Sequence, residues 1–145
     1  MLMDSRMFRP PETGVPVLTQ EGDIDPGPGV HTFFPSIAVN TEGDVGLTYM
    51  QSSSDEYVSM YVTGRQHDDP PGTMRAPALV KAGEATYTGS RGGDYSGITV
   101  DPQTDTFWAA NEVILGDAFR TLRALADTLE RSPDPTWVEA LAQVE

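Results

Sequence analysis

The residues from Gly92 to Glu112, GGDYSGITVDPQTDTFWAANE, crowd chemically capable side chains around one apparent turn. Asp94 and Tyr95 are adjacent, and Glu112 closes the stretch. A carboxylate beside a phenol can relay protons or activate a nucleophile. Asp101 and Asp105 flank the turn. They could supply oxygen ligands to calcium, which needs several that converge. Asp23 and Asp25, in EGDIDPGPG, offer the same chemistry. The competing reading is an Asx-type turn, in which the carboxylate accepts local backbone N–H groups. That reading is preferred, because neither EF-hand nor nonapeptide spacing is present. No cofactor is therefore expected, with calcium the one alternative. Trp108 could stack on a sugar face or serve as a core aromatic, and the core role is preferred. Alternation puts Phe107 and Trp108 on opposite faces of a strand, so one must be less buried than the other.

The remaining candidates carry less. His31 and His67 are the only histidines and lie in different blocks, which disfavours zinc. His67, beside Asp68 and Asp69, reads as a solvated loop residue. GSRGGD, from Gly89 to Asp94, matches neither the Walker A nor the dinucleotide pattern.

Composition narrows the setting for these residues. The chain has 145 residues, enough for one domain with a modest core. Its 14 glycines and 12 prolines favour turn-rich β structure over a helical bundle. A net charge of −13 argues against a nucleic-acid partner, since phosphate binding needs clustered Lys and Arg. Without cysteine, disulfides and thiolate zinc sites are excluded. No apolar run approaches the roughly 20 residues that span a bilayer. The start, MLMDSRMFRPPETG, has no apolar signal-peptide core.

The elements that must position the candidates come from an internal repeat. FPSIAVNTEGDVGLTY, Phe34 to Tyr49, aligns with YSGITVDPQTDTFWAA, Tyr95 to Ala110, at an offset of 61 residues. Ile37, Val39 and Asp44 recur as Ile98, Val100 and Asp105, and Phe34 recurs as the similar Tyr95. The same offset sets PVLTQEGD, Pro16 to Asp23, on PALVKAGE, Pro77 to Glu84. Each copy reads as a hairpin: an alternating Ile/Val strand, an Asn or Asp turn, and an aromatic-rich returning strand. A third strand follows at Tyr57 to Gly64, after a polar SSSDE loop. Arg65 to Pro77 reads as a long loop, and ALVKAG and EATYTG as further short strands. Three or four antiparallel strands per repeat fit a propeller blade. Tyr95, in the slot of Phe34, is expected to pack as an aromatic.

The expected organisation is an extended segment over 1–15, two blade-like repeats over 16–114 and a helical tail over 115–145. Ala118, Leu122, Leu125, Ala126 and Leu129 have helical spacing, with Asp117 as N-cap. Asp134 and Pro135 would open a second short helix bearing Trp137, Leu141 and Val144 on one face. The fold class is thus mainly β, antiparallel four-stranded blade-like sheets with a C-terminal helical tail.

PSIAVN, YVTGR, GTMRAP and GDYSGITVDP…DTFW resemble repeats of sialidase-like β-propeller proteins related to the BNR/Asp-box class. The resemblance covers about Gly22 to Glu112. Two departures stand out. Gly92 occupies a position that is usually Trp, and the Asp-box spacing is not met, because Gln103 stands at its glycine. The resemblance implies blades of a larger, mostly exported or cell-surface protein without assigned enzyme activity. It also implies an alternative, a sialidase-like glycosidase or its remnant. There Tyr95 would be the nucleophile, Asp94 or Glu112 its acid partner, and Arg65, Arg75 or Arg91 would hold a substrate carboxylate. The main expectation is a non-enzymatic binding or scaffold module, a fragment of a longer protein. Trp108, Asp94 and Glu112 are its candidate ligand-binding residues. Its expected partners are a glycan or protein, or a second copy joined through open sheet edges.

Overall fold

The computed structural model describes residues 3–9, 17–89, 92, 95–115, 118–126 and 138–139. Ten strands and no helix occur among them. β1 (Met3–Arg9) and β2 (Val17–Ile24) form a two-stranded antiparallel sheet. β3 (His31–Val39), β4 (Val45–Ser52), β5 (Ser59–Arg65) and β6 (Ala78–Lys81) form a four-stranded meander in chain order. β7 (Gly97–Val100), β8 (Phe107–Leu115), β9 (Ala118–Ala126) and β10 (Val138–Glu139) form a second meander. All pairings are antiparallel.

The tail corrects one expectation. Ala118–Ala126, whose apolar spacing predicts a helix, is strand β9. It pairs residue by residue with β8, from Leu115↔Ala118 to Phe107↔Ala126. Pairing along the whole of β8 satisfies the backbone groups that the two strands turn toward each other, and such tertiary context overrides local periodicity. Of the second expected helix, Val138 and Glu139 are in β10 and the rest lies outside the described residues. The EATYTG segment forms no strand.

The two meanders stack with β3 beside β7 and β4 beside β8. Met60 and Val62 of β5 meet Ala109 and Val113 of β8, with Ala78, Val80 and Ile98 around them. The other face of the first meander buries Leu47 and Tyr49 against Ile24 of β2, Ile37, Tyr61 and Met74. β4 therefore has a neighbour on each side. This explains why Val45 to Met50 are all buried, rather than alternating as in a sheet with one wet face. The sheets come close at Gly46, where a Cβ would lie 2.8 Å from the Phe107 ring and 3.0 Å from Ile98.

Loop 66–77 covers part of the Tyr49 face. Arg75 holds Asp69 by two hydrogen bonds, Nε at 2.8 Å and Nη2 at 3.2 Å, and also donates from Nη2 to Gln66 Oε1 at 2.5 Å. Within this frame Met74 reaches the Leu47–Tyr49 cluster.

Two outcomes follow for stability. Gly46→Ala should cost about 1–3 kcal/mol in denaturant unfolding, because the added methyl must move a buried Phe107 ring or part the sheets. Asp69→Asn should cost about 1 kcal/mol near neutral pH. The Arg75 hydrogen bond holds the Asp69 carboxyl below its usual range, with further help from the Gln66 N–H. Its contribution is therefore complete above about pH 4 and fades as pH falls through the lower folded value. Unfolding of both proteins near pH 7 and pH 3 should show the gap closing at the acid end.

Candidate functional site

The two hairpin turns sit side by side, and their geometry decides what their acids do. In the first, the Asn40 N–H donates to the Asp44 carbonyl at 3.0 Å. In the second, the Asp101 N–H donates to the Thr106 carbonyl at 2.8 Å. The second turn is thus one residue longer. Val39 pairs with Val45, but Val100 pairs with Phe107. Beyond the turn the two copies are related by 62 residues, not 61. Asp105 is the counterpart of Gly43, not of Asp44, and shares its left-handed backbone, with φ of 59° against 90°.

The acids are correspondingly different. Asp44 is buried; its carboxylate accepts from Asn40 Nδ2 at 3.2 Å and from the His67 N–H at 2.8 Å. Its own N–H donates to Asn40 Oδ1 at 2.8 Å. Asp105 reaches across to the first turn, accepting from the Thr41 N–H at 3.2 Å and from the Thr41 hydroxyl at 2.6 Å. Asp101 Oδ1 accepts the Gln103 and Thr104 N–H groups, and its Oδ2 accepts Trp108 Nε1 at 3.3 Å. These bonds, the Gln103 N–H first, hold the Asp101 carboxyl below its usual range. Asp25 likewise accepts the Gly27 N–H at 3.0 Å. These carboxylates act as turn and inter-turn acceptors. No group of three or more His, Asp or Glu side chains placed to hold a metal occurs among the described residues.

The expected catalytic set is only partly gathered. Arg91 and Asp94 lie outside the described residues. Extending the β7–β8 register two residues beyond Gly97↔Ala110 sets Tyr95 level with Glu112. Glu112 is buried at 6% exposure, whereas Tyr95 is 68% exposed. The expected packing role for Tyr95 is therefore not met, and its counterpart Phe34 is exposed as well. Arg65 is committed elsewhere: its guanidinium donates to the carbonyls of Gln66 and Asp69. Arg75 is engaged with Asp69 and Gln66. Phe107 is buried and Trp108 is 43% exposed, the unequal pair that alternation requires, and the core role preferred for Trp108 is therefore not met.

A cleft between the SSSDE loop and the EATYTG segment, the latter expected as a strand, is the larger of two cavities described. It measures about 550 Å³ and lies between Ser52–Val58 and Ala85–Tyr87. A second cavity, beside Asp23, Arg65 and Met74, measures about 30 Å³. At the larger cleft, Glu56 accepts from Gln51 Nε2 at 2.8 Å and from the Tyr61 hydroxyl at 2.5 Å. The Tyr61 ring stacks on Tyr49, with centroids 5.7 Å apart. Burial, then the charge of Glu56, pushes the Tyr49 phenol up to about 12. Burial, the Glu56 hydrogen bond and its charge raise Tyr61 further still. Both phenols stay protonated, so Tyr61 is a permanent donor to Glu56. The available signal was three serines and two acids running directly into Tyr57.

No protein-family model, no curated protein and no solved structure matches this chain. No helix among the described residues is long and apolar enough to cross a membrane.

The inter-turn contact can be checked directly. Asp105→Asn, which tolerates the left-handed backbone, should lose about 0.5–1.5 kcal/mol of stability. Asp105→Ala should lose about 1–3 kcal/mol, because strain is added to the missing bonds. Denaturant midpoints of the two variants should rank in that order.

Proposed function

We propose that the chain is a non-enzymatic, propeller-type repeat module whose role is to bind a ligand or scaffold a surface. One observation carries the reading: the same antiparallel meander occurs twice, and the two copies stack strand against equivalent strand. β2 extends the series, since Ile24 packs on the free face of the first meander, as Phe107 and Ala109 of the second pack on its other face. Each sheet's last strand leads to the next sheet's first strand, as blades follow one another around a propeller axis.

The binding reading rests on Trp108. It stands on the face of β8 turned away from the first meander, 43% exposed, with its indole N–H steadied by Asp101. A half-exposed ring held in place suits stacking on a sugar, and a glycan is the ligand class we favour. Catalysis is disfavoured because Arg65 and Arg75 are occupied in loop 66–77 and Tyr95 stands exposed.

Glycan-array binding should be lost in Trp108→Ala while the unfolding temperature stays within a few degrees of wild type. Sialoside and other aryl-glycoside hydrolysis should stay at background for wild type and Tyr95→Phe alike. Hydrolysis that disappears in Tyr95→Phe would reverse the reading in favour of a glycosidase.

A further inference from the structure

We propose that the cleft between Ser52–Val58 and Ala85–Tyr87 binds an organic ammonium group, with Glu56 as counter-ion and the rings of Tyr57 and Tyr87 as walls. The site belongs to the loops of the first meander and is independent of Trp108.

Size comes first. About 550 Å³ falls within the usual range for small-molecule sites and is far larger than a bare metal ion needs. Charge selects the ligand's sign. Asp55 and Glu56 both line the cleft, and among the described residues no lysine, arginine or histidine does. The nearby Lys81 is paired with Glu84 at 2.8 Å. An anion would meet repulsion there, whereas a cation would meet carboxylates and aromatic faces. Tyrosine faces attract ammonium groups through the ring quadrupole. Tyr57 is 51% exposed, so its ring is available to a ligand.

Glu56 is fixed but not exhausted. A carboxylate has about four acceptor positions, and the Gln51 and Tyr61 bonds take one on each oxygen. Those two donors set its orientation before any ligand arrives. Behind the cleft and in the field of the same carboxylate, the fully buried Tyr49 hydroxyl has no hydrogen-bond partner among the described residues. The acceptor positions left on Glu56 suit a donor-rich cationic head.

The walls are also preorganised. Gly83 lies so close to the Val58 carbonyl that no Cβ fits, and its N–H donates to Ser59 Oγ at 3.0 Å. Ser59 in turn donates to the Tyr57 carbonyl at 2.8 Å. The Glu84 N–H donates to the Ile114 carbonyl at 2.7 Å, tying the same loop to the second meander. The Tyr87 phenol folds against Gly89, where a side chain would collide with it. Both walls are therefore anchored to sheets.

Isothermal titration of the full chain with choline and with Nα-acetyl-lysine methylamide tests the proposal, with glucose and glucuronate as neutral and anionic controls. Millimolar or tighter binding of at least one cation, without binding of the controls, is the expected result. Choline alone would indicate a small quaternary ligand; the lysine derivative would indicate a protein side chain. Glu56→Gln should weaken binding about tenfold. That variant also perturbs Tyr61, so the exposed Tyr57→Ala supplies the second arm. It should weaken binding about three- to fivefold at unchanged unfolding temperature. The proposal is overturned if neither cation binds, if both variants bind like wild type, or if a control binds as well as the cations.

Discussion

The structure depends on how closely two sheets can approach at Gly46. The missing side chain there lets the Phe107 ring and Ile98 close on the first meander. Met60, Val62, Ala109 and Val113 then come together beside them as one apolar seam. This seam joins the β3–β7 and β4–β8 contacts in holding the two meanders together. It is also why β4 is buried on both faces, with β2 and loop 66–77 completing the other side. Dense apolar interiors respond to a single methyl group because packing leaves little slack. A one-carbon vacancy beside the seam therefore sets how closely Phe107 and Ile98 sit against β4.

The turns add directional bonds to the non-directional seam. Asp105 caps Thr41 of the neighbouring turn, and Asn40 Nδ2 reaches the Asp105 carbonyl at 3.4 Å. Asp44 ties the first turn to the start of loop 66–77 through His67. Acidic residues that could have been read as cation ligands instead satisfy backbone and hydroxyl donors. This is the ordinary use of short polar side chains where a chain reverses. Asp101 joins this framework to Trp108, so the exposed ring is an extension of a structural turn.

Among the described residues, the one buried polar side-chain atom without a hydrogen-bond partner, the Tyr49 hydroxyl, lies away from that framework and in the field of Glu56. Tyr61 binds it, Tyr49 feels its charge, and the cleft opens beside it. The residues that drew attention in sequence, Asp101, Asp105, Arg65 and Arg75, are largely occupied in holding loops and turns. Short-range pattern finds residues that are chemically capable, but it does not say which have been spent on the scaffold. Hydrogen-bond partners outside the local segment answer that question.

The sequence by itself determined the β-rich class, the hairpins at Asn40 and Asp101, the loop after Arg65 and the unequal exposure of Phe107 and Trp108. These follow from local rules: alternation of period two, turn chemistry, and the density of glycine and proline. Tertiary structure decided two further matters. Ala118–Ala126 carries helical spacing, yet β8 offers it a full ladder of hydrogen bonds and takes it as a strand. One extra residue in the second turn shifts the repeat from 61 to 62, and a one-residue slip moves each side chain to the opposite face of a sheet. The identity of Asp44 and Asp105 concealed that insertion. Carried past the turn, the 61-residue offset would set Trp108 on the buried position of Leu47. The true register sets it on that of Gly46, on the face the second sheet turns outward. Only the pairing of distant strands could reveal this, because the register belongs to the ladder and not to either strand alone.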